Sequence, residues 1–101
     1  MTDKLNDTGI KPALLAQIAS LAEKHGIDRV ILFGSRARGD FQRESDIDLA
    51  VHGGDAAGFH LALEEETDTL LRFDVVSLDR PLQRALAESI AKEGRLVYEK
   101  V

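Results

Sequence analysis

The sequence predicts an α/β domain, a small sheet of three or four strands flanked by helices. Three observations predict it. Short runs rich in Val, Ile, Leu and Phe, bounded by Gly, Pro and Asp, recur at residues 28–33, 46–52 and 72–78 with the length and composition of strands. Longer segments between them repeat apolar residues at three- and four-residue spacing, the period of a helix lying on a core. Hydrophobic residues make up 44% of the 101, which suits one globular domain, 1–101, with a radius of gyration of about 13 Å, and not two.

Taken in order, residues 1–9 are polar and are expected to fray. Pro12 suits the first turn of a helix that carries Leu14, Ile18, Leu21, Ala22 and His25 at helical spacing, and Gly26 stands where a left-handed C-terminal cap belongs. Residues 28–33 read as a buried central strand, because their end is apolar on both faces. Residues 34–40 read as a turn and short helix, 42–45 as a polar loop, and 46–52 as the second strand. Gly53-Gly54-Asp55 breaks that pattern. Residues 56–71 are expected to form one helix that buries Phe59, Leu63, Leu70 and Leu71 and turns Glu64, Glu65 and Glu66 to solvent. Alternation in the third strand, 72–78, puts Phe73 and Val75 on one face and Asp74, Val76 and Leu78 on the other. Asp79 and Pro81 are expected to open the last helix, Leu82, Leu86 and Ile90 to line its inner side, and Gly94 to end it before a short edge strand at 95–99.

The chemistry concentrates between Val30 and Val51. Asp46 and Asp48 flank a single residue, so on a strand they share a face while Ile47 and Leu49 take the other. Their Cα atoms would lie about 6.6 Å apart, and two carboxylates at that distance repel by about 2.5 kcal/mol at an effective dielectric of about 20. Such a pair also suits a solvent-facing strand edge, where water screens it. A hard divalent cation removes the cost, since Mg²⁺ binds through one or two carboxylates plus substrate phosphates. The Gly34-Ser35 turn beside the pair favours the cation. Gly lets the backbone approach a ligand closely, Ser35 suits a helix N-cap, and free amides at a helix start attract anions. Arg36 and Arg38 add fixed positive charge suited to phosphate.

Gly34-Ser35, ten residues, then Asp46-Ile47-Asp48-Leu49 resembles the signature of the DNA polymerase β-like nucleotidyltransferase superfamily. The longer GSRARGD followed by SDIDLAV is similar to its minimal nucleotidyltransferases, and the likeness runs over roughly residues 10 to 100 with no departure at the motif positions. The resemblance implies a mixed, palm-like sheet. It implies a third acid on a later strand, for which Asp74 is the match, so that Asp46, Asp48 and Asp74 are both the catalytic residues and the ligands of two Mg²⁺ ions. It assigns Gly34, Ser35, Arg36 and Arg38 to the nucleotide, with ATP as donor. It further implies a helical partner of the HEPN type in a hetero-oligomer, with AMP passed to a partner hydroxyl and the chain acting as antitoxin. The alternatives are a small-molecule nucleotidyltransferase whose acceptor site lies on a separate chain, and a non-catalytic module that occludes its partner.

Charge narrows these readings. The net charge is −5, with a pI of about 5.1, which argues against a broad nucleic-acid surface. The basic residues Arg36 and Arg38, with Arg43 nearby, form a patch suited to a single nucleotide. The absence of cysteine excludes disulfides and thiolate metal sites. No apolar run approaches the roughly 20 residues of a membrane span, and the first residues lack a signal-peptide core, so a soluble cytoplasmic protein is expected.

Overall fold

A computed structural model describes residues 5–101. A 3₁₀ turn at Asn6–Thr8 leads into α1 (Pro12–Lys24), β1 (Arg29–Phe33), the one-turn helix α2 (Ser35–Arg38), β2 (Ile47–His52), α3 (Ala56–Glu66), β3 (Phe73–Ser77), α4 (Arg84–Glu93) and β4 (Arg95–Glu99). The four strands form one sheet in the order β3-β2-β1-β4. β1 runs antiparallel to both neighbours and β2 parallel to β3, which is the mixed sheet the resemblance implies.

Strand alternation sorts the side chains to two faces. Val30, Leu32, Ile47, Leu49, Val51 and Phe73 join Ile18 and Ala22 of α1 and Phe59 and Leu63 of α3 in the main core. On the other face Phe33, Ala50, Ile31 and Val76 meet Leu82, Leu86 and Ile90 from the α4 region. Gly26 takes the left-handed conformation expected of it (φ 73°) and ends α1, while Ile27 N–H reaches back to Ala22 O at 2.9 Å. The bare Cα of Gly54 lets the β2–α3 turn cross that same end, because a Cβ there would stand 2.5 Å from the Gly26 backbone.

Four expectations change. Of residues 1–9, 1–4 lie outside the described residues. The rest is tied down at particular points: Thr8 is fully buried, its hydroxyl donates to Leu5 O at 2.8 Å, and Asp7 meets Arg95 at 2.9 Å. A polar segment is ordered here because its polar groups find partners. Helix α3 stops at Glu66, five residues short, and Leu70 is fully exposed. Thr67 and Thr69 turn their hydroxyls to nearby backbone, Leu63 O and Leu71 N, in competition with helical bonding. Asp79 and Pro81 precede α4 without starting it; Gln83 takes the cap position, and Asp79 bonds Gly53 N–H at 2.7 Å. Ser35 is the first residue of α2, Gly34 takes the cap position, and no side chain caps it.

Candidate active site

The acids gather where β2 and β3 begin and β1 ends. Parallel pairing sets Asp48 directly beside Asp74, and antiparallel pairing sets Asp48 opposite Phe33, the residue before Gly34. Asp46 lies one residue ahead of β2, its position held by the next amide, since Ile47 N–H donates to Arg72 O at 2.9 Å. Asp48 is half-buried, while Asp46 and Asp74 are exposed.

Asp48 carries the electrostatic load. Its carboxyl is pushed up to about 6, first by burial, then by the charges of Asp74 and Asp46, with Arg38 pulling the other way. The Asp48 carboxylate also packs on the backbone of Gly34: a Cβ there would lie 2.2 Å from Asp48 Oδ2. Gly34 adopts φ 79°, open to glycine and costly to other residues. Its carbonyl accepts from Ala37 and Arg38 N–H, starting α2. Among the described residues the N–H groups of Ser35 and Arg36 have no protein acceptor, which leaves two donors for an anion.

Asp46, Asp48 and Asp74, expected to hold metal ions, lie at one end of the sheet. The three act on one another electrostatically, yet among the described residues no three His, Cys, Asp or Glu side chains gather closely enough to hold an ion by themselves. Mg²⁺ takes much of its shell from phosphate and water, so a closed protein cage is not required. Burial lifts the Asp48 pKa first, and the charges of Asp74 and Asp46 add to it, charge that a cation at this end of the sheet would offset.

The two arginines separate. Arg38 is half-exposed and bonds Asp40 at 3.2 Å and Glu93 of α4 at 3.1 Å, contacts that raise its pKa. Arg36, expected at the phosphates, instead turns inward and is 1% exposed. Its Nε, Nη1 and Nη2 donate to the carbonyls of Ser45, Thr8 and Arg43, and its guanidinium lies 4.8 Å from the Phe41 ring centroid. Residues two apart on a helical turn do not share a side, so only one of the pair can face a ligand. The clamp residues Thr8 and Phe41 escaped the sequence reading, and Arg43, read there as part of a basic patch, lends the clamp its carbonyl; the one signal was Phe41, a lone aromatic in an otherwise polar loop.

Comparison with known proteins agrees with this geometry. Residues 16–101 match the family described as "Polymerase beta, Nucleotidyltransferase". The chain belongs to that family. It is a nucleotidyltransferase of the minimal type. A protein of Methanocaldococcus jannaschii named "Putative protein adenylyltransferase" is 32% identical over 81 residues, 71% of this chain and 79% of the relative. A solved structure described as a "putative minimal nucleotidyltransferase" is 36% identical, with a TM-score of 0.63 over 82% of this chain and 88% of its own. A toxin-antitoxin crystal structure with AMP-PNP shares the fold at 23% identity, with a TM-score of 0.68 over 85% of this chain and 73% of its own. No helix among the described residues of this family member is long and apolar enough to cross a membrane.

Proposed function

We propose that this nucleotidyltransferase moves AMP from ATP to a hydroxyl on a helical partner protein of the HEPN type, as the antitoxin of a toxin–antitoxin pair in the cytoplasm. The observation that carries the reading is the in-register pair Asp48 and Asp74, set against Gly34 beside two open amides. It brings the means of holding a cation and a phosphate chain to one end of the sheet. The protein acceptor draws support from the relative named as a protein adenylyltransferase, and the partner from the fold neighbour described as a toxin-antitoxin structure with AMP-PNP.

Asp46, Asp48 and Asp74 would hold two Mg²⁺ ions together with the triphosphate. When bound, Mg²⁺ supplies charge neutralisation at the phosphates and lowers the pKa of the acceptor hydroxyl. The Ser35 and Arg36 amides orient the phosphates, and Arg38, released from Asp40 or Glu93, adds a mobile cation. Exposed Asp74 takes the hydroxyl proton on a carboxylate oxygen. The hydroxyl oxygen bonds to the α-phosphorus, the bond to the α–β bridging oxygen breaks, and pyrophosphate leaves.

The test is transfer of labelled AMP from ATP and Mg²⁺ to the partner encoded beside this chain, followed by mass spectrometry of that partner. Asp46→Asn with Asp48→Asn should abolish the added mass. Transfer that survives the double substitution would refute the mechanism. Labelling of hydroxylated small molecules with none on the partner would refute the protein acceptor.

A further inference from the structure

We propose that Arg36 is a positioning residue for the acidic pair: through the Ser45 carbonyl it fixes where Asp46 stands relative to Asp48. The inference rests on the reading of Asp46 as a cation ligand.

The Ser45 carbonyl and the Asp46 amide nitrogen belong to one planar peptide unit, so a bond that holds Ser45 O also orients the backbone entering Asp46. Arg36 Nε holds that oxygen at 3.0 Å. On the far side Arg72 O holds the Ile47 amide at 2.9 Å. Asp46 is thereby pinned between two fixed peptides, with its side-chain torsions left free. Arg36 Nη2 fastens Arg43 O at 3.0 Å, which prevents the loop from swinging about a single contact. Arg36 Nη1 anchors the assembly to Thr8 O at 2.9 Å, in the segment leading into α1.

The chemistry of the clamp favours holding backbone over filling space. Among the described residues no carboxylate pairs with Arg36, and burial lowers its pKa from the ordinary arginine value. A buried cation held by carbonyls and one ring face costs free energy that an apolar side chain of the same length would avoid. What the guanidinium provides is a planar fork able to hold three separated carbonyls at once. Gly9 adapts to the clamp, since a Cβ there would lie 2.5 Å from the Phe41 ring and 2.8 Å from Arg36 Nη1.

The probe is Mn²⁺ with the non-hydrolysable analogue AMP-PNP, titrated by electron paramagnetic resonance, together with hydrogen exchange of the backbone amides. Arg36→Met should weaken Mn²⁺ binding about tenfold or more, the range seen when a residue orienting a metal ligand is lost. Exchange should accelerate at Ser45 and Ile47, whose amides donate to Gln42 O and Arg72 O, while Leu49, Ala50 and Val51 in β2 stay protected. Arg36→Lys keeps the charge without the fork and should fall short of rescue. Unchanged Mn²⁺ affinity and unchanged exchange at Ser45 and Ile47 in a folded Arg36→Met protein would overturn the proposal. If Arg36→Met does not fold, Phe41→Leu decides, with about threefold weaker binding expected from loss of the ring face and no change overturning the proposal. Asp46→Asn separates the two readings. If it leaves Mn²⁺ binding intact, the assignment of Asp46 as a ligand fails and the positioning role falls with it. If it removes binding and Arg36→Met does not weaken it, only the positioning role falls.

Discussion

The two faces of the sheet differ in kind. The face under α1 and α3 is closed and almost wholly apolar, with Val30, Leu32, Ile47, Leu49, Phe59 and Leu63 at 1% exposure or less. The face under α4 buries only Phe33, Ala50 and Ile90, and the flanking Leu82 and Leu86 stay half-open. Asp48 and Asp74 follow the strand parity of Ala50 and Val76, so they emerge on this thinner face, beyond the cover of α4. One side of a four-stranded sheet thus supplies most of the packing, and the other tolerates repelling carboxylates that a well-packed core would not accept.

Breaking the closed face should have the largest effect. Phe59→Ala should cost about 3–5 kcal/mol, read as a lower urea midpoint. Gly34→Ala comes next. It forces a β-carbon into the Asp48 carboxylate at φ 79°, so a loss of about 1–3 kcal/mol in thermal unfolding is expected from backbone strain, and about 100-fold in nucleotide transfer from displacement of the acid. Leu86→Ala on the α4 face should cost about 1 kcal/mol, because the side chain is half-exposed and its loss leaves little cavity. Equal costs for Phe59→Ala and Leu86→Ala would dissolve the contrast between the faces.

The smallest effect is a pH dependence, and its sign follows from Asp48. The folded-state pKa is about 6, above the ordinary carboxylate value, so between roughly pH 4 and 6 the native state holds more protons than the unfolded chain. The contribution of Asp48 to the stability of the metal-free protein therefore falls as pH rises through that window, and its penalty is fully present above it. Solvent at this half-open site screens the effect to about 1 kcal/mol. Asp48→Asn should flatten the dependence in urea titrations at pH 4.5 and 7.5. A wild-type profile that instead gains stability across this window, with the same profile in Asp48→Asn, would show that Asp48 is not the group responsible.

Much of the fold was legible because its signals are local. Period-two alternation placed Phe73 and Val75 opposite Asp74 and Val76; the structure puts Phe73 and Val75 with the main core, Val76 with the α4-side core, and leaves Asp74 exposed. Gly26 and Gly94 marked helix ends correctly, whereas the apolar pair Leu70 and Leu71 after Thr67 and Thr69 read as a continuation of α3 that the structure does not make. At the site, the spacing of Asp46 and Asp48 was visible, but their register with Asp74 was not, since pairing between β2 and β3 joins segments separated by a whole helix. The split between Arg36 and Arg38 shows the same boundary. Helical geometry alone says that they point apart.

By itself, the sequence determined the order of elements, the glycine-serine turn and the paired aspartates, because each depends on residues close along the chain. Which arginine was buried, where α3 stopped, and how the acids met were decided by tertiary structure. Those outcomes depend on carbonyls, rings and strands brought from distant segments, whose contribution appears only when water is excluded between them.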